Sequence, residues 1–71
     1  MRLAEFIKDI RSQLEMSQNQ LAKALNVSFS TVNRWENEKA EPSKLAQKTF
    51  FDFCDGNLVE IPAELRRNSS K

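Results

Sequence analysis

The chain has 71 residues, 39% hydrophobic and 30% charged, with a formal net charge of +1, which allows one globular domain and argues against disorder. No apolar run is long enough to span a bilayer, and the N-terminal MRLAEFIKDI mixes charge with apolar residues instead of building a signal-peptide core, so a soluble, cytoplasmic protein without a membrane partner is expected. Cys54 stands alone and His is absent, which speaks against disulfides, metal sites and the commonest general base; no cofactor is implied, and the near-neutral charge excludes a basic tail as the driver of any nucleic-acid binding.

In the first segment Leu3, Phe6, Ile7, Ile10 and Leu14 fall on one helical face, with Arg2, Glu5, Lys8, Asp9 and Gln13 elsewhere. Arg11 lies at the border of that stripe. Ser17 followed three residues later by Gln20 is a capping-box pattern, so a second helix starts at about Gln18. It carries Leu21, Ala22 and Leu25 inward and stops at Asn26, the non-glycine residue type that best tolerates a left-handed turn. Val27 plugs the turn. Ser28 caps a third helix, from Phe29 to about Glu36, with Val32 and Trp35 inward and Phe29, Ser30, Asn33 and Arg34 outward. Asn37 is expected to close it as Asn26 closes the second.

After a loop from Glu38 to Pro42, Ser43 caps a fourth helix running to about Cys54. Leu45, Ala46, Thr49, Phe50 and Phe53 are its expected stripe, with Lys44, Gln47 and Lys48 pointing away. Asp55-Gly56-Asn57 ends it with turn chemistry. Leu58, Ile61 and Leu65 then dock on the core through a short helix starting at Pro62. Residues 1–66 form the domain, and 67–71 a flexible tail or the start of a linker.

Two short helices joined by a tight turn form a shape for entering the DNA major groove. That geometry needs a small residue where the helices cross, a left-handed residue in the turn and large apolar residues beneath the second helix. Ala22, Asn26, and Val32 with Trp35 meet those needs.

Ser17-Gln18, Leu21-Ala22, Leu25-Asn26-Val27-Ser28, Val32, Arg34-Trp35-Glu36-Asn37 and Pro42-Ser43 together resemble the lambda-repressor-like, Cro-like helix-turn-helix regulators, also called the XRE type. The resemblance covers about Leu3 to Phe53. It implies an all-α, compact four- to five-helix domain that binds a pseudo-palindromic double-stranded DNA operator as a homodimer. It further implies that Phe29, Ser30 and Asn33 read base edges, that Arg34 reads a base or holds a phosphate, and that Gln18, Asn37, Lys39, Ser43 and Lys44 hold phosphates. Arg11 and Glu36 resemble the family's partly buried ion pair.

The residue chemistry suits those roles: Asn pairs with adenine, Arg with guanine, and an apolar side chain presses on the thymine methyl. Phe29 has two readings, a base contact or a packing residue against the turn. Phe51 also has two, covering Leu58 and Ile61 or pairing with a second copy. Gln20 and Lys23 read as a solvated face, and Cys54 as a small residue at a helix end.

Glu38 stands where the family often has Gly, and Glu41 adds a second acid to a loop expected to face phosphates. Between Ser17 and Lys48 the basic residues exceed the acidic by only two, so non-specific affinity should be modest and salt-sensitive. A sequence-specific regulator, a repressor by preference, is the leading expectation. The alternative is a DNA-targeting or protein-docking module of a larger system, such as the antitoxin of a toxin pair or the N-terminal domain of a DNA-modifying enzyme. An enzyme built on Glu60 and Glu64 is set aside, since one turn of a terminal helix offers no pocket.

Overall fold

The computed structural model describes residues 2–69, and side chains for residues 2–66. Within them the architecture is all-α, with helices α1 (Leu3–Gln13), α2 (Gln18–Leu25), α3 (Phe29–Glu36), α4 (Lys44–Gly56) and α5 (Ala63–Ser69) in chain order. The starts follow local chemistry. Ser17, Ser28 and Ser43 each accept a backbone N–H three residues on, from Gln20, Thr31 and Ala46. Each bond satisfies a donor that the first turn of a helix otherwise leaves open.

The core joins all five helices. Phe6, Ile7 and Ile10 of α1, Leu21, Ala22 and Leu25 of α2, and Val32 and Trp35 of α3 are buried together with Phe50, Phe51 and Cys54 of α4, and with Ile61 and Leu65. Phe6 meets the Phe50 ring edge-on, with centroids 5.9 Å apart and planes at 82°, a geometry worth about 1 kcal/mol beyond simple burial. α2 and α3 pack against one another most extensively, and α1 braces α3.

Four helices end in the same closure. Met16, Val27, Lys39 and Val59 donate their N–H groups to the carbonyls of Arg11, Ala22, Arg34 and Cys54, five residues back. The residue before each donor, Glu15, Asn26, Glu38 and Leu58, takes a left-handed φ between 54° and 59°, as this type of cap requires. Asn26 therefore closes α2 as expected. Asn37 does not do the same for α3: its φ is −95°, and Glu38 takes the left-handed position.

α4 departs from expectation in phase and length. Its buried residues are Phe50, Phe51 and Cys54, with Gln47 half-buried, while Leu45 is 73% exposed and Thr49 is exposed. The helix is apolar on more than one side, so two stripes about one residue out of phase both satisfied the helical period. Phe51 is settled as a core residue, packed beside Phe50 at 5.9 Å. The helix also runs through Asp55 and Gly56. Its closure falls at Leu58 because Val59, the apolar residue after it, turns back onto the core; Leu58 itself is 95% exposed and does not dock. α5 begins just after Pro62 and continues to Ser69, so the boundary drawn between domain and tail at residue 67 falls inside this helix, and residues 70 and 71 lie outside those described.

Candidate functional site

The turn between α2 and α3 presents the outer face of α3. Val32 and Trp35 face the core, which leaves Phe29, Ser30 and Arg34 exposed and Asn33 half-buried. Phe29 is 50% exposed, so about half of this large apolar residue is accessible at the start of α3. Ser28 shares a 2.8 Å hydrogen bond with the Thr31 hydroxyl and so fixes the start of this helix.

Beneath that face runs a polar network. Glu36, only 3% exposed, accepts from Arg11 Nε at 2.8 Å through Oε2 and from Arg11 Nη2 at 2.9 Å through Oε1. Arg11 Nη1 donates in turn to the Met16 carbonyl at 3.1 Å. A planar guanidinium suits this two-point contact with a carboxylate. Burial alone would raise the Glu36 carboxyl, but hydrogen bonds from Arg11 and Gln18, with the charges of Arg11 and Lys8, hold it below its ordinary value. The bond to Glu36 raises Arg11, against an opposing effect of burial.

Gln18 extends the network. Its Nε2 donates to Glu36 Oε1 at 3.0 Å, and its Oε1 accepts from Asn33 Nδ2 at 3.1 Å. The structure thus joins Gln18, read from the sequence as a phosphate contact, to Asn33, read as a base contact. This pairing was missed because Gln18 and Asn33 lie fifteen residues apart and no periodicity links them.

The remaining candidates lie at or beyond the end of α3. Asn37 is exposed and donates through Nδ2 to the Asn33 carbonyl at 2.8 Å, a carbonyl that also accepts the Asn37 backbone N–H at 3.1 Å. Lys39, Ser43 and Lys44 are exposed, with the Ser43 hydroxyl engaged in capping α4 at 3.1 Å. Arg2 is an unforeseen participant: it pairs with Glu38 at 2.5 Å, both side chains being largely exposed. That contact offsets one of the two loop acids noted as unfavourable toward phosphates. It also ties the start of α1 to the segment after α3.

Among the described residues no helix is long and apolar enough to cross a membrane. A helix-turn-helix family matches residues 7–46, more than half of the chain and the stretch that contains α2, α3 and the network. No curated protein and no solved structure gives a match.

Proposed function

The chain belongs to the XRE-type, Cro- and lambda-repressor-like helix-turn-helix family, and from that premise we propose that it is a sequence-specific transcriptional regulator acting as a repressor. DNA is the partner that family membership implies. α3 enters the major groove, where Phe29, Ser30, Asn33 and Arg34 meet base edges, while Gln18, Asn37, Lys39, Ser43 and Lys44 grip the flanking phosphates. The observation that carries this reading is the face of α3, polar and aromatic outside and held from beneath by Gln18 and Glu36.

Size supports a homodimer. The domain extends at most 27 Å, whereas successive major-groove faces on one side of the duplex are about 34 Å apart. One copy therefore covers one half-site, and a second copy on a pseudo-palindrome doubles the contacts. The small basic excess around α2 to α4 makes that doubling valuable, because phosphate attraction alone gives weak binding. The same small excess supports the second reading, a DNA-targeting module whose affinity is supplemented by a protein partner or a further domain.

Selection of bound duplexes from a random pool at low salt, with the sedimentation state of the complex recorded, tests the proposal. A two-fold-related motif bound by two copies is the expected result. Failure to enrich any motif would refute sequence-specific reading, and an asymmetric motif bound by one copy would refute the dimer.

A further inference from the structure

Arg11, Glu36, Gln18 and Asn33 form one continuous chain of hydrogen bonds, and that chain has a direction. The Glu36 carboxylate, held by Arg11 at 2.8 and 2.9 Å, is ionised and offers only acceptors. Gln18 must therefore face it with Nε2, at 3.0 Å, which turns Oε1 toward α3. Asn33 must meet that oxygen with its own amide nitrogen, at 3.1 Å. Asn33 Oδ1 is left without a partner among the described residues. Since no buried side-chain nitrogen or oxygen lacks a partner there, this oxygen is open to solvent.

We propose that Gln18 and Glu36 are positioning residues that lock the Asn33 amide with its oxygen outward, so that Asn33 selects adenine over guanine at the base pair it meets. The inference rests on Asn33 reading a base, as proposed above. Adenine offers an N6 amino donor and an N7 acceptor in the major groove, which match the outward oxygen and the remaining N–H of Asn33. Guanine offers two acceptors, O6 and N7. An unrestrained asparagine would accommodate guanine by turning its nitrogen outward. Here that turn sets Asn33 Oδ1 against Gln18 Oε1, acceptor against acceptor. Turning Gln18 as well only moves the conflict to the Glu36 carboxylate.

Glu36 variants disturb the fold, so the test is made at Gln18, a half-buried residue at the start of α2. Asn33→Ala first identifies the base pair at which preference is lost. Affinities of wild type and Gln18→Met are then measured on two duplexes that differ only there, adenine against guanine, with a thermal melt confirming that each variant folds. Wild type should favour adenine by about 10-fold or more, and Gln18→Met should bring the two within about 3-fold. Loss of any phosphate contact made by Gln18 weakens both duplexes equally, so it adds to the change in affinity but not to the change in ratio, and convergence of the two duplexes reports orientation alone. A wild-type ratio retained in Gln18→Met, or a wild-type preference for guanine, would overturn the inference. If Asn33→Ala relaxes no position, the base-reading role of Asn33 itself fails.

Discussion

Glu36 is the one buried charged side chain among the described residues. Replacing it with Ala removes the acceptor for Arg11 Nε, Arg11 Nη2 and Gln18 Nε2, leaving a charged donor without its partner. Breaking a buried ion pair from one side typically costs about 3–5 kcal/mol. The Arg11 side chain retains 25% exposure and its bond to the Met16 carbonyl, so part of it regains water. The lower end, about 3 kcal/mol, is the appropriate figure. A domain of this size is stable by roughly 4–10 kcal/mol, so Glu36→Ala removes roughly 30–75% of the total. With a urea m-value of about 1 kcal/mol/M, the unfolding midpoint should fall by about 3 M, or the variant should be unfolded in water. Arg11→Met with Glu36→Leu should recover most of the loss, because removing both charges leaves no buried ion without its partner. The deficit should also depend on pH in a set direction. The folded carboxyl lies below its unfolded value, so its contribution is complete well above about pH 4.3 and is lost as the pH falls through the folded value. Urea titrations of the single and double variants, run at neutral and acid pH, measure all of this. A loss under about 1 kcal/mol at pH 7, or a double variant no better than Glu36→Ala, would refute the reasoning.

Other expectations concern backbone, thiol and charge. Gly56 is the last residue of α4, with nothing near an added Cβ, whereas Leu58 holds a left-handed φ of 59° with its side chain exposed. Gly56→Ala and Leu58→Gly should each stabilise by about 0.5–1 kcal/mol, read as a rise of several degrees in melting temperature. Burial, helped by Asp55 and opposed by Arg66, pushes the Cys54 thiol up to about 11. Alkylation at pH 8 should therefore proceed only through unfolding and slow in step with stability. If Lys39 and Lys44 each meet a phosphate in both copies, about four contacts give a slope of about −3.6 for log K against log salt. A slope shallower than about −2 would show that these side chains do not grip the backbone.

The legible parts of this fold were those governed by local chemistry. Ser17, Ser28 and Ser43 announced their helices because a hydroxyl at the cap acts within three residues. α1 and α3 were correctly phased because each has a clearly polar side. α4 was misphased because Leu45, Phe51 and Phe53 make it apolar on more than one side, and only packing against α2 and α5, with Phe6 of α1 against Phe50, selects which side is buried. The helix ends show a related limit. Turn-forming residue types pointed to Asn37 and to Asp55-Gly56-Asn57, yet for α4 the closure lies where the next apolar residue, Val59, can fold back onto the core. For the candidate site, family resemblance brought Arg11 and Glu36 to notice, but nothing local in the sequence signalled that Gln18 bridges Glu36 to Asn33, or that Arg2 meets Glu38.

The network gives two neighbouring residues separable roles in stability and recognition. Glu36 is charged and buried, so altering it changes folding and the orientation of Gln18 together, and a DNA-binding defect in such a variant has two explanations. Gln18 is neutral and half-buried, and losing its two bonds, one of them to a carboxylate, costs about 2 kcal/mol. Its removal leaves the Arg11–Glu36 pair standing while freeing the Asn33 amide to turn. A defect confined to Gln18 variants, and confined to one base pair, therefore reports orientation alone. Phosphate contacts hold every sequence alike, so if Asn33 reads a base as proposed, discrimination at that base pair is set by which atom the Asn33 amide turns toward the groove.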